Sequence, residues 1–196
     1  MWLIYKKGYD GNPEHLPTNG IKEGSVKFKE IDDITKAGIL FNVIAAMIML
    51  ICIVLLILKY GITFIIDSPS FIIGIIGSFL VLFPHEILHA LCFKEDVYLY
   101  TAWDKGMLFV LGLESMTKKK FIFMSLLPNI VFGFIPYVLA LLIPQCVCLG
   151  VFGALCIGMG AGDYYNVYNA LTQMPKGSYA YMHKMNTYWY LPDKNN

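Results

Sequence analysis

Two histidines four residues apart, with a glutamate beside the first, are the residues of this chain best suited to chemistry: His85-Glu86-Ile87-Leu88-His89. On a helix the two imidazoles project from one face and can grip one metal ion, zinc by ligand type. Glu86 then stands where it can take a proton from a water on that ion. The motif lies among Ile, Leu and Phe in one of the most apolar stretches of the sequence. Ionisable groups are costly at membrane depth, so finding them there points to function. The bland alternative is a polar cluster that ties helix to helix by hydrogen bonds. In an apolar segment that reading is weaker, because removing these groups would only help insertion.

Two histidines do not complete a catalytic zinc site, which takes three protein ligands and an open position for water. The residues after His89 read Ala90-Leu91-Cys92-Phe93-Lys94-Glu95, without the Gly and His of the metzincin extension. Two carboxylates remain. Glu114 sits in a lysine-rich loop, whereas Asp163 sits in the apolar run Gly158-Met159-Gly160-Ala161-Gly162-Asp163-Tyr164-Tyr165-Asn166. Depth favours Asp163. Glu86 precedes Lys94 by eight residues, roughly 12 Å along a helix, and Asp163 precedes the end of its own apolar run by a similar number. Gly158, Gly160 and Gly162 would let two helices approach closely. The competing reading makes Asp163 a helix terminus with Asn166 as its cap, and the glycines plain packing. Asn166 and Tyr165 are candidates to orient the carboxylate.

Hydrophobic residues make up 57% of the chain and charged residues 15%, and the mean hydropathy is +0.60. With the apolar residues in blocks, the class is polytopic membrane protein, so a lipid bilayer surrounds it. The net charge is +1 and the sequence has no arginine, which excludes a nucleic-acid footprint. Four stretches are long enough to cross a bilayer core: about 37–58, 70–93, 121–143 and 147–171. The run 62–66 before Asp67 is too short and reads as an outer turn. A three-span alternative would bury the turn around Pro144 and Gln145. The expected fold is therefore an all-α four-span helical bundle, residues 37–172, with HExxH in span two and Asp163 in span four. Residues 1–36 and 173–196 flank it.

Lysines orient the bundle. Six fall in the first 36 residues, five between spans two and three, and three in the C-terminal tail, with only Lys59 in the remaining loops. Under the positive-inside rule both termini and the central loop face the cytoplasm of a cell membrane. No early apolar run suggests a cleavable signal peptide. Five cysteines, all in or beside apolar segments, offer no disulfide framework, and Cys92 reads as a small packing residue.

In the central loop two β-rich runs flank Asp104-Lys105-Gly106, a good turn, and predict a short hairpin. An exposed edge there would suit an extended substrate, but an aromatic interfacial loop held by Tyr98, Tyr100 and Trp103 explains the composition equally. Lys118, Lys119 and Lys120 anchor a helix end at the headgroups. Inside span three Pro128 frees a backbone carbonyl, and Asn129 is a candidate to hold substrate or an oxyanion, or to orient a metal ligand. Ordinary helix kinking is the other account of that pair. The tyrosine-rich tail suggests a membrane-surface segment.

The combination of HEILHA in one span, Ser125-Leu126-Leu127-Pro128-Asn129 opening a central span and GAGDYYN in the last resembles a bacterial zincin peptidase family of unknown function, itself similar to the site-2 proteases. The resemblance covers roughly residues 70–172. It implies that His85, His89 and Asp163 bind zinc and that Glu86 is the base. Glycine before Asp163 and tyrosine after it depart from the Asp-Gly segments of the site-2 group. No insertion of PDZ type is present. The expected activity is an intramembrane zinc-dependent peptidase acting on a membrane-associated protein or peptide. The rivals are a non-catalytic metal-binding regulator or scaffold, and a small transporter subunit whose buried acids carry protons. Substrate and oligomeric state stay open.

Overall fold

The computed structural model describes residues 2–6, 8–66, 69–103, 107–143 and 146–192. The expected turns at Asp67, at Asp104-Lys105-Gly106 and at Pro144-Gln145 lie outside them. The chain divides into two units, residues 31–85 with 126–165, and residues 1–30 with 86–125 and 166–196. The division passes through three helices.

The first of these units is helical. α1 (Ile34–Tyr60) starts where the Asp33 side chain accepts hydrogen bonds from the N–H groups of Thr35 and Lys36, and stops at Gly61, whose φ of 84° suits glycine. It is apolar on all faces, and Ile39, Leu50 and Leu58 are each more than 60% exposed. α2 (Ile62–Ile66) and α3 (Pro69–Leu80) follow. α3 and α4 (Leu82–Ala90) meet at a 42° bend. Pro84 accounts for the break, because it has no N–H to donate to the Leu80 carbonyl.

α5 (Lys118–Pro128) runs through a π-helical stretch, Asn129–Phe134, into α6 (Ile135–Leu142). α7 (Val147–Met159) is the helix on which the others pack: α1, α3, α6 and the π-helical stretch all touch it. Close approach needs its glycines. A Cβ on Gly153 would stand 2.7 Å from the Gly133 carbonyl oxygen. Leu56, Tyr137, Val151, Ala154 and Ile157 form the centre of this core. The Tyr137 hydroxyl donates to the Cys52 carbonyl (2.7 Å) and the Tyr60 hydroxyl to the Ala140 carbonyl (2.6 Å). α8 (Ala161–Gln173) leaves α7 at a 51° bend.

The all-α expectation is too narrow. Among the described residues seven strands form two sheets in the second unit. In one, β1 (Leu3–Lys6) runs parallel to β3 (Val97–Ala102), with Leu3 opposite Val97, and β3 pairs antiparallel with β4 (Met107–Gly112). The hairpin runs therefore are strands, with β1 on one edge and β4 on the other. The second sheet is antiparallel in the order β2 (Val26–Lys27), β7 (Asn186–Tyr190), β6 (Tyr179–His183), β5 (Met116–Thr117). The N-terminal segment, the central loop and the tail thus share sheets. Two apolar clusters hold the unit, one around Phe28, Phe121 and Met174 and one around Tyr9, Tyr100 and Leu111. The tail's aromatics pack on its own strands. Tyr181 and Tyr190 flank the Lys22 ammonium at 5.3 and 4.8 Å, a cation–π arrangement.

Among the described residues two helices, Thr35–Tyr60 and Lys118–Leu142, are long and apolar enough to cross a membrane, and four segments qualify when each bent pair counts as one.

Candidate metal centre

α4 carries the motif. Its ladder reforms after Pro84 with the His85 N–H on the Val81 carbonyl (2.8 Å), so His85 and His89 lie one turn apart on one helix. Donor atoms of His85, Glu86 and His89 fall within 4.8 Å of one another. His89 is buried, and its Nδ1 lies 2.9 Å from the Met124 carbonyl oxygen. A carbonyl only accepts, so Nδ1 is the donor and the lone pair of the neutral ring is on Nε2.

Asp163 lies in the first turn of α8, the helix end that suits an anion. Its Oδ2 is 3.2 Å from His85 Nε2, with both side chains about 15% exposed. Asn129 Nδ2 donates to the same oxygen at 2.7 Å. Asn129 is 1% exposed, and its amide is held from the other side too, where Oδ1 accepts from the Tyr164 hydroxyl (3.4 Å). That hydroxyl also reaches the Ile157 carbonyl (3.0 Å). Gly160 makes room for this carboxamide. A Cβ there would stand 1.8 Å from Asn129 Oδ1. Of the parts expected for Asn129, a substrate or oxyanion group or a residue that orients a ligand, its contact to the Asp163 carboxylate is in keeping with the last. From sequence Gly160 has no part beyond helix packing, and only the position of the facing amide reveals the fit. Asn166 is half-buried one turn further along α8.

Glu114 is otherwise engaged. It accepts from the N–H groups of Lys94 and Glu95 and from the Lys120 ammonium (2.8 Å). Burial pushes its pKa up, but these donors outweigh burial and hold the carboxyl below its ordinary range. It fastens the segment after α4 to the segment before α5. Cys92 packs in the Phe28 cluster, in keeping with a packing residue.

The donor chemistry fits zinc. Two ligands held about 2.1 Å from one tetrahedral centre lie roughly 3.4 Å apart, and His85 Nε2 and Asp163 Oδ2 are 3.2 Å apart. Imidazole nitrogens and carboxylates are zinc donors, and the group within 4.8 Å is His85, Glu86 and His89; His89 is oriented by the Met124 carbonyl, and Asp163 by the Asn129 amide.

Residues 78–179, which include the α4 motif, Asn129 and Asp163, match the family model described as "Putative zincin peptidase". No curated protein and no solved structure matches the chain.

Proposed function

The chain belongs to the putative zincin peptidase family, and on that premise we propose that it is an intramembrane zinc-dependent peptidase, similar to the site-2 proteases, that cleaves a membrane-associated protein or peptide. The observation that carries this reading is the pairing of an HExxH helix with a half-buried, amide-held aspartate 3.2 Å from its first histidine. In it His85, His89 and Asp163 hold the ion and Glu86 does not. When bound, zinc would supply Lewis acidity to a peptide carbonyl and to a water. The Glu86 carboxylate takes the proton of the attacking water and returns it to the leaving amine nitrogen. Asn129 keeps Asp163 turned toward His85.

The setting in a cell membrane, with four spans and both termini cytoplasmic, is part of the proposal. Strand pairing supports it by parity. β3 and β1 are neighbours in one sheet, so if α1 crosses a membrane, the bent α3–α4 pair must bring the chain back. β6 pairs with β5, so α5–α6 and the α7–α8 pair must likewise cross an even number of times together. The lysine distribution selects the cytoplasm as their common side.

One observation favours a second reading. The three donor atoms that come within 4.8 Å include Glu86, and a site that uses Glu86 as ligand would bind metal without a base, as a regulator or scaffold would. Glu86→Gln separates the two. In a peptidase the purified variant keeps about one zinc per chain and its fold, while cleavage falls about 10²–10⁴-fold and uncut membrane proteins accumulate in cells. Loss of zinc from Glu86→Gln, or cells indistinguishable from wild type while His85→Ala cells are impaired, refutes the peptidase. Retention of full zinc by both His85→Ala and His89→Ala refutes the site. Asp163→Asn weakens zinc binding.

A further inference from the structure

Pro128 closes α5 from the inside, where an ordinary residue would donate its N–H to the carbonyl four positions back. Proline has no such hydrogen, and its ring crowds that carbonyl. For Pro128 the carbonyl belongs to Met124, and it is this oxygen that lies 2.9 Å from His89 Nδ1. The two facts are one device. A backbone N–H at position 128 would compete for the oxygen and draw it back into the helical ladder. Without that N–H, the carbonyl is left for the imidazole.

The consequence falls on the far nitrogen of His89. A neutral imidazole places its single hydrogen on Nδ1 or on Nε2, and the partner of one decides the state of the other. A carbonyl on Nδ1 keeps the hydrogen there, which leaves Nε2 as a lone pair. His89 is 7% exposed, so water does little to scramble the choice. We propose that Pro128 is a positioning residue: by withholding an N–H at its own position from the Met124 carbonyl, it fixes His89 as the Nδ1–H tautomer and presents Nε2 as a ready-made metal ligand. The second half rests on the zinc reading above; the first does not. Another helix proline serves as a control. Pro136, buried in the first turn of α6, withholds its N–H from the Phe132 carbonyl, for which the described residues show no histidine contact.

The test uses the full chain in detergent or nanodiscs, labelled with ¹⁵N-histidine and stripped of metal. With four histidines in the sequence, His89 is assigned by the signal that His89→Ala removes. The wild type should show His89 protonated on Nδ1 and bare on Nε2. Pro128→Ala should give a mixed or Nε2–H ring, and zinc affinity measured against a chelator should fall about 10–100-fold, while Pro136→Ala leaves both unchanged. If Pro128→Ala does not fold, Pro128→Leu keeps apolar volume and restores the same N–H. An Nε2–H ring in the wild type, or an unchanged Nδ1–H ring with unchanged zinc affinity in the Pro128 variant, overturns the inference. A wild type with the Nδ1–H ring and no zinc affinity refutes the metal reading alone.

Discussion

Gly160→Ala adds one methyl group and should weaken metal binding without touching a proposed ligand. The backbone at Gly160, φ −74° and ψ 9°, is open to any residue, so the substitution acts through space alone. The new Cβ would stand 1.8 Å from Asn129 Oδ1, 2.5 Å from its Cγ and 2.9 Å from its Nδ2. The carboxamide sits on a short, fully buried side chain and has to swing away, which takes Nδ2 from the Asp163 oxygen it meets at 2.7 Å. A hydrogen bond to a charged partner contributes roughly 1.5–3 kcal/mol, so zinc affinity should fall about 10- to 150-fold. Competition with a chromophoric chelator reads this on purified protein, with thermal unfolding as the check on overpacking. The decisive step is a double-mutant cycle. In an Asn129→Ala background nothing remains for the methyl to displace, and Gly160→Ala should change zinc affinity by less than about twofold. Full affinity in the single variant, or equal losses in both backgrounds, would show that the glycine acts otherwise than through Asn129.

Three further outcomes are expected. Glu114 has its folded-state pKa depressed, so its contribution is present above the unfolded carboxylate range and lost as pH falls through the folded value; below about pH 4 unfolding of wild type should steepen, Glu114→Gln should flatten that limb, and an unchanged acid limb would refute the tether. Gly112→Ala places a Cβ 2.0 Å from the Phe93 ring and should cost about 1–3 kcal/mol in chemical denaturation, with zinc stoichiometry retained; wild-type stability would show that the ring moves freely. Cysteine labelling at Asp10, Trp103 and Tyr190 should report one common side of the membrane, the cytoplasm, and a split result would break the parity argument for four spans.

The apolar blocks were legible because hydropathy averages over many residues. The expected runs 37–58, 121–143 and 147–171 became helical stretches Ile34–Tyr60, Lys118–Leu142 and Val147–Gln173, the last bent. Bends are backbone directions, to which a hydropathy window is blind, although Pro84 marks the first of them. The sheets were nearly silent. β2 and β5 have two residues each, too few for a period, and β2 pairs with β7 some 160 positions on. HExxH was legible because its spacing is the helical repeat itself. The nearness of Asp163 to His85 was expected by counting residues to the helix ends, yet the counts differ. α4 ends at Ala90, four residues past Glu86, and α8 ends at Gln173, ten past Asp163. The acid and the imidazole meet instead because each sits in the first turn of a helix that restarts after a break, a placement that depth arithmetic does not contain. The amide grip of Asn129 depends on a partner 34 positions away, so no local pattern announces it.

The four-stranded sheet also imposes an order of assembly on the growing chain. β6 and β7 follow the last apolar helix in sequence, while β2 precedes the first. β2 and β5 must therefore wait, each with only two residues of backbone to offer, until α8 has been synthesised and the tail has emerged. Closure of loops this long is slow, and the open edges meanwhile need shelter from other chains. The sheet therefore closes last, and the hairpin of β6 and β7 is its latch: a chain interrupted before Tyr179 would carry every helix, the HExxH helix included, but leave β2 and β5 without partners.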